Sequence, residues 1–151
     1  MRSLARRSLA LYEEAKVHET SLRRIVAAWH PELLDQQGVG PIVAATVLCA
    51  WSHSGRFASE AGFAALAGVA PIEASSGMTV RHRPSRSGDR QLNRAFHVVV
   101  MTRLRYDERT IAYAKRRSSE GKSDREIKRC LKRYVARSLF RLLESAPIET
   151  G

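Results

Sequence analysis

The stretch "LLDQQGVGPIVAATVL", residues 33–48, decides how the chain is read. It has an apolar helix end, then a Gly-hydrophobic-Gly turn at Gly38, Val39 and Gly40, then a second helix opened by Pro41, a position that suits proline. This is the layout of a helix-hairpin-helix. In that motif glycines let the backbone approach a phosphate, and the N–H groups opening the second helix hold it. The same spacing fits a tight interhelical turn that needs glycine for steric reasons alone. From Ile42 to Trp51 nearly every residue is apolar, which implies a helix buried on most sides.

Working outward toward the N-terminus, Pro31 interrupts a long helical pattern, because its ring removes a donor and disfavours helix in the residue before it. Before it, Leu4, Ser8, Leu11, Ala15, His18, Leu22, Ile25 and Trp29 alternate spacings of four and three. That is the seam of a coiled-coil-like helix that pairs with another helix, and the surface it presents predicts a homo-oligomer. His18 reads as a packing residue on this seam. Residues 1–30 are thus expected to form a helical connector for oligomerisation, and residues 31–151 a second unit.

Toward the C-terminus, Ser59 is a good N-cap for a short helix presenting Phe63 and Leu66 and closed by Gly68. Helix resumes after Gly88 with Asp89 as cap and Leu92, Phe96, Val99 and Val100 as its apolar face. Asp107 starts a turn, a further helix ends near Gly121, and Ser123 with Glu126 forms a capping box for the last helix. In that helix Ile127, Leu131, Tyr134, Val135, Ser138 and Leu142 read as the core face. Lys128, Arg129, Lys132, Arg133 and Arg137 read as an opposite, basic face.

With 151 residues and 44% hydrophobic content, the chain is the size of one folded domain. Its formal charge of +11 favours an anionic partner, and the charge is uneven. Residues 77–141 carry 19 basic and 6 acidic side chains, so the rest of the chain is slightly negative. The two cysteines, Cys49 and Cys130, sit in apolar helical patterns and read as buried thiols in a reducing compartment rather than a disulfide or zinc site. No signal h-region or window of about 18 uninterrupted apolar residues occurs, so a cytoplasmic protein with no membrane partner is expected.

Between two apolar segments lies "PIEASSGMTVRHRPSRSGDRQ", residues 71–91, with four serines, two glycines, two prolines and five arginines or histidines. It shows no helical or strand period and reads as a loop. Ser76 precedes Gly77, with Arg81, His82, Arg83, Arg86 and Arg90 just downstream. A hydroxyl on an exposed turn beside cations has the parts for attack on a phosphodiester. An arginine-rich loop that only tracks a backbone fits the same composition. His82 fits either a proton shuttle or another phosphate contact. No Walker-type loop, zinc signature or carboxylate cluster for two metal ions is visible.

Taken together and in order, "GVGPIVAATVL", "FAALAGVAPIEASSG", "RSGDRQLNRAFH" and "EGKSDREIKRCLKRYVARSLF" resemble the C-terminal transposase domain of the IS110-type insertion sequences, a family that includes the Piv DNA invertases. The resemblance runs from about Leu4 to Leu143, nearly the whole chain. It implies a mobile-element recombinase acting on double-stranded DNA, guided in several members by an element-encoded RNA. It also implies a serine just before a glycine that attacks DNA and forms a covalent 5′ linkage. Ser76 matches that position, with Ser75 the fallback, and Arg81, His82, Arg83, Arg86, Arg90 and Arg94 would clamp phosphates together with the turn at Gly38 and Gly40. The family further has an N-terminal ribonuclease-H-like domain whose acidic residues bind Mg²⁺. This sequence starts at the helical connector, so the expectation is a truncated, serine-bearing half with no cofactor of its own, dependent on a separate metal-binding half. The expected fold is all-α: a long N-terminal coiled-coil-like helix, a helix-hairpin-helix and a basic Ser/Arg-rich loop. The alternative is a helix-hairpin-helix module that binds nucleic acid without chemistry.

Overall fold

The computed structural model describes residues 2–70, 72–76, 79–83 and 88–145, the two strand segments through their backbone alone. Among them are seven helices and one two-stranded ribbon, in the order α1 (Arg2–Trp29), α2 (Pro31–Leu34), α3 (Pro41–Trp51), α4 (Glu60–Leu66), β1 (Ile72–Ser76), β2 (Thr79–Arg83), α5 (Arg90–Tyr106), α6 (Glu108–Ser119) and α7 (Asp124–Ser145). The fold is all-α, as expected, with the ribbon appended to it. No helix among the described residues is long and apolar enough to cross a membrane.

Local chemistry sets the helix starts. Pro31 and Pro41 occupy first-turn positions of α2 and α3. The Ser59 hydroxyl accepts from the Gly62 N–H, Asp89 accepts from the N–H groups of Gln91 and Leu92, and Asp107 accepts from that of Thr110. Ser123 donates through its N–H and its hydroxyl to Glu126, at 2.9 and 2.8 Å.

The core gathers where α3, α4, α5 and α7 meet. Phe63, fully buried, stacks on Phe140 at 5.7 Å between ring centroids and meets Phe57 and Phe96 edge-on. Leu92, Phe96, Val99 and Val100 line α5's buried face as the sequence predicts. In α7 the buried set is Ile127, Leu131, Val135, Ala136, Leu139, Phe140 and Leu143. Tyr134 and Ser138, read as core, are exposed instead. The apolar stripe drifts around the helix past Val135, and Phe140, omitted from the predicted stripe, carries the second half of the contact.

Two further expectations are corrected, and the seam of α1 is left uncovered by the chain's own body. Most of α1 stands clear of the body: Val26 is its buried residue, whereas Leu4 and Trp29 are 78% and 75% exposed and His18 is exposed as well. Cys49 is exposed and Cys130 half-buried rather than both buried. α3 turns Val43, Ala44, Val47, Ala50 and Trp51 inward, which leaves Ile42 and Cys49 on the outer side. Finally, part of the stretch read as a loop is paired. β1 and β2 run antiparallel with Ile72 opposite Arg83, Glu73 opposite His82, Ala74 opposite Arg81, Ser75 opposite Val80 and Ser76 opposite Thr79. The ribbon lacks apolar alternation, so the usual sequence signal for a strand is missing.

Candidate nucleic-acid interface

The turn between α2 and α3 uses its two glycines differently. Gly38 has φ +84°, and a Cβ there would lie 3.1 Å from the Val99 carbonyl oxygen and 3.2 Å from the Thr102 Cβ, so this glycine lets the turn press against α5. The Arg103 Nε donates to the Gln37 carbonyl at 2.9 Å and pins the same turn from α5. Gly40 is the N-cap of α3, extended, with open space where a Cβ would be and no side chain capping the helix. Among the described residues no side chain accepts from the first-turn N–H groups of α3. A groove of about 480 Å³ lies alongside, between this turn, α1 at Glu19 and α5 at Val98 and Thr102.

The ribbon is held at its base by α4. At Gly88, φ is +125°, and a Cβ would fall 2.6 Å from the Leu66 carbonyl oxygen and 2.9 Å from the Gly68 nitrogen, so no other residue fits without displacement. The Asp89 N–H donates to the Leu66 carbonyl at 2.7 Å, and Asn93 Nδ2 donates to the Ala67 carbonyl at 2.7 Å. The chain thus leaves the end of α4, forms the ribbon and returns to the same point to start α5. Ser76 is the last residue of β1, in the two-residue phase of Ala74 and Ile72 and of their partners Arg81 and Arg83. Ser75, Glu73 and His82 fall in the opposite phase. Gly77 and Arg86 lie outside the described residues.

Arg90 and Arg94 are exposed on α5, one turn apart, with His97 exposed a further turn along. No carboxylate occurs in α5. The basic face expected on α7 is partly internal wiring. Arg133 Nη2 and Arg137 Nε each reach a different oxygen of Glu60 at 2.7 Å, which holds the Glu60 carboxyl below its usual range, the bond from Arg137 contributing most. Lys132 Nζ donates to Asn93 Oδ1 at 2.8 Å, and its burial lowers its pKa. These cations fix α7 to α4 and α5. Lys128, half-buried, and Arg129, exposed, remain on the surface of the same helix.

A family model described as the transposase IS116/IS110/IS902 family matches residues 31–115, more than half of the chain. The chain belongs to this transposase family. It is also 30% identical over 145 residues to the 43.6 kDa protein of insertion element IS110 from Streptomyces coelicolor, the match covering 93% of this chain. The chain spans 36% of that relative's length.

For this transposase-family chain, one of the segments that carry the resemblance acquires physical reasons. In "RSGDRQLN", Gly88 allows the close approach to α4, Asp89 caps α5 and Asn93 links α4 to α7. The sequence alone marks Asp89 as a cap but gives no sign that Asn93 bridges two helices. Glu144 was also missed: it accepts from Trp51 Nε1 at 2.8 Å and Ser54 Oγ at 2.9 Å. Partial burial pushes its pKa up, but those bonds outweigh it and hold the carboxyl below its usual range. No group of three or more His, Cys, Asp or Glu side chains able to hold a metal ion is found among the described residues.

Proposed function

We propose that this chain is the serine-bearing, DNA-binding part of an insertion-sequence transposase, acting in transposition of its element. The observation that carries this reading is the family match over residues 31–115, a span that takes in the turn into α3, the ribbon with β1 ending at Ser76, and α5 with Arg90 and Arg94. The surplus of basic side chains in residues 77–141 supports it, since double-stranded DNA is a dense polyanion. A cytoplasmic setting follows from that substrate.

In the proposed reaction Ser76 Oγ attacks the phosphorus of a scissile phosphodiester. An O–P bond forms as the P–O3′ bond breaks; the serine gives up its proton and the departing O3′ takes one up. The products are a 5′-phosphoserine and a free 3′-hydroxyl. Arg81, His82, Arg83, Arg86, Arg90 and Arg94 offset charge on the phosphate oxygens. The helix-hairpin-helix role falls to Gly40 and the uncapped first turn of α3, which hold a backbone phosphate. Gly38 supports that turn from behind. A serine hydroxyl is a weak nucleophile at neutral pH and needs a base or a metal-polarised phosphate, so the proposal has carboxylates of another segment or chain hold Mg²⁺ beside the scissile phosphate. An element-encoded guide RNA is the proposed source of target choice.

The exposed seam of α1 is the proposed oligomer contact between copies. Light scattering over a range of concentrations is expected to give a dimer or larger assembly; a strict monomer at every concentration would remove this part. For the function itself, the test is titration of a labelled duplex between about 50 and 200 mM salt, where four phosphate contacts predict a loss of affinity of about a hundredfold. A flat response would remove DNA from the account.

A further inference from the structure

α5 leaves the anchored base of the ribbon and runs past α7, and its outer side carries Arg90, Arg94 and His97 at successive turns. Seven residues of helix rise about 10 Å, against about 3.4 Å of duplex axis per phosphate on one strand, so the three side chains span two or three phosphates. At its far end this row meets α7. Lys132 is bonded to Asn93, one turn before His97, and Lys128 lies one turn before Lys132. α5 packs against α7, and the Lys132–Asn93 bond sets the register that brings Lys132 and, one turn before it, Lys128 alongside the His97 turn; both charges act on the His97 ring.

Cations gathered this way need a reason, because each repels the others. Most carboxylates at the ends of α5, α6 and α7 are engaged locally, while Asp124 lies exposed one turn before Lys128. Asp89 caps α5, Asp107 is bonded to Thr110, Glu120 pairs with Arg117 and Glu126 is held by Ser123. α3 offers no charged side chain to α5. Partial burial first, then the charges of Lys132 and Lys128, hold the His97 ring below the usual histidine range. Arg94, His97, Lys128 and Lys132 thus concentrate positive charge where α5 packs on α7.

We propose that Arg94, His97 and Lys128 form a phosphate-binding site for the backbone of duplex DNA at the seam of α5 and α7, and that His97 takes up a proton when the phosphate arrives. The site extends the contact from the ribbon along α5, and it rests on the DNA-binding reading above. A phosphate beside the ring reverses the local field and raises the histidine pKa, so binding carries a proton with it and tightens as pH falls through the histidine range. Lys128 supplies a standing charge, and its removal weakens binding at every pH.

The test uses the full chain, a labelled DNA duplex, and the variants His97→Gln, Lys128→Gln and, as a charge control on the exposed face of α6, Lys115→Gln. Affinities are measured at pH 6.0 and 8.0 at constant ionic strength, with circular dichroism to verify folding. The wild type should bind at least about threefold more tightly at pH 6.0, and His97→Gln should lose most of that difference. Lys128→Gln should weaken binding about three- to tenfold and lower the salt slope by about one, while Lys115→Gln stays near the wild type. Three results would overturn the site while the wild type still bound duplex DNA: a His97→Gln variant with its pH dependence intact, a Lys128→Gln variant with wild-type affinity, or an equal loss in Lys115→Gln. No wild-type binding to DNA at any pH would instead take down the DNA-binding reading itself.

Discussion

At the scale of single residues, the glycines separate backbone necessity from ligand approach. Gly88→Ala places a Cβ against the Leu66 carbonyl at a φ that L side chains avoid, and should lower stability by about 1–3 kcal/mol, read as a shifted urea midpoint with unchanged slope. Gly38→Ala should act in the same direction, since the turn has to move off Val99 and Thr102. Gly40→Ala meets nothing and should stay within about 1 kcal/mol of the wild type in stability, yet weaken duplex binding if a phosphate approaches there. A Gly40 variant as unstable as the Gly88 variant would contradict this division. In the sequence all three are simply glycines near turns. Their difference comes from what packs on the far side, Val99 and Thr102 in one case and Leu66 and Gly68 in another, and that is tertiary information no local pattern carries.

Elements are joined here by carboxylates held below their usual range. Arg137 and Arg133 hold Glu60 between α4 and α7, Thr110 holds Asp107 at the start of α6, and Trp51 and Ser54 hold Glu144 at the end of α7. Each lowered pKa means the folded chain binds fewer protons than the unfolded one. The stability these groups add is complete above their unfolded values, near 4.5 for glutamate and 3.8 for aspartate, and drains away as pH falls below them. Thermal melts from pH 6 to pH 3 should show a steep fall below about pH 4.5, less steep in Glu60→Ala, which itself should lose about 1–3 kcal/mol at neutral pH by leaving the half-buried Arg133 without its partner. An unchanged pH profile in that variant would refute the role given to Glu60. The sequence shows the starts of these elements well, because Ser59, Asp89 and Asp107 act on backbone N–H groups two or three residues away. It shows their joining poorly, because Glu60 and Arg137 lie 77 positions apart and a basic helix face looks the same whether solvated or paired.

Across the whole molecule, the helical body was legible from apolar periodicity and the basic half from charge. The ribbon was not, since its strands lack the apolar alternation that marks a sheet facing a core. α1 was read as a helix correctly, but a seam spaced by fours and threes cannot say whether its partner is the chain's own body; here most of it stands exposed. The central claim is that Ser76, carried on the ribbon between α4 and α5, is the nucleophile of a transposase whose metal site lies elsewhere. The direct measurement mixes this chain with the ribonuclease-H-like part of a related transposase, Mg²⁺, its guide RNA and an end-labelled DNA target, and resolves the products on a denaturing gel. The account predicts a protein–DNA band that survives denaturation, depends on the added part, vanishes in Ser76→Ala and persists in Ser75→Ala. A band that persists in Ser76→Ala would contradict it, and binding with no band from any mixture would leave the chain a nucleic-acid-binding module without chemistry of its own.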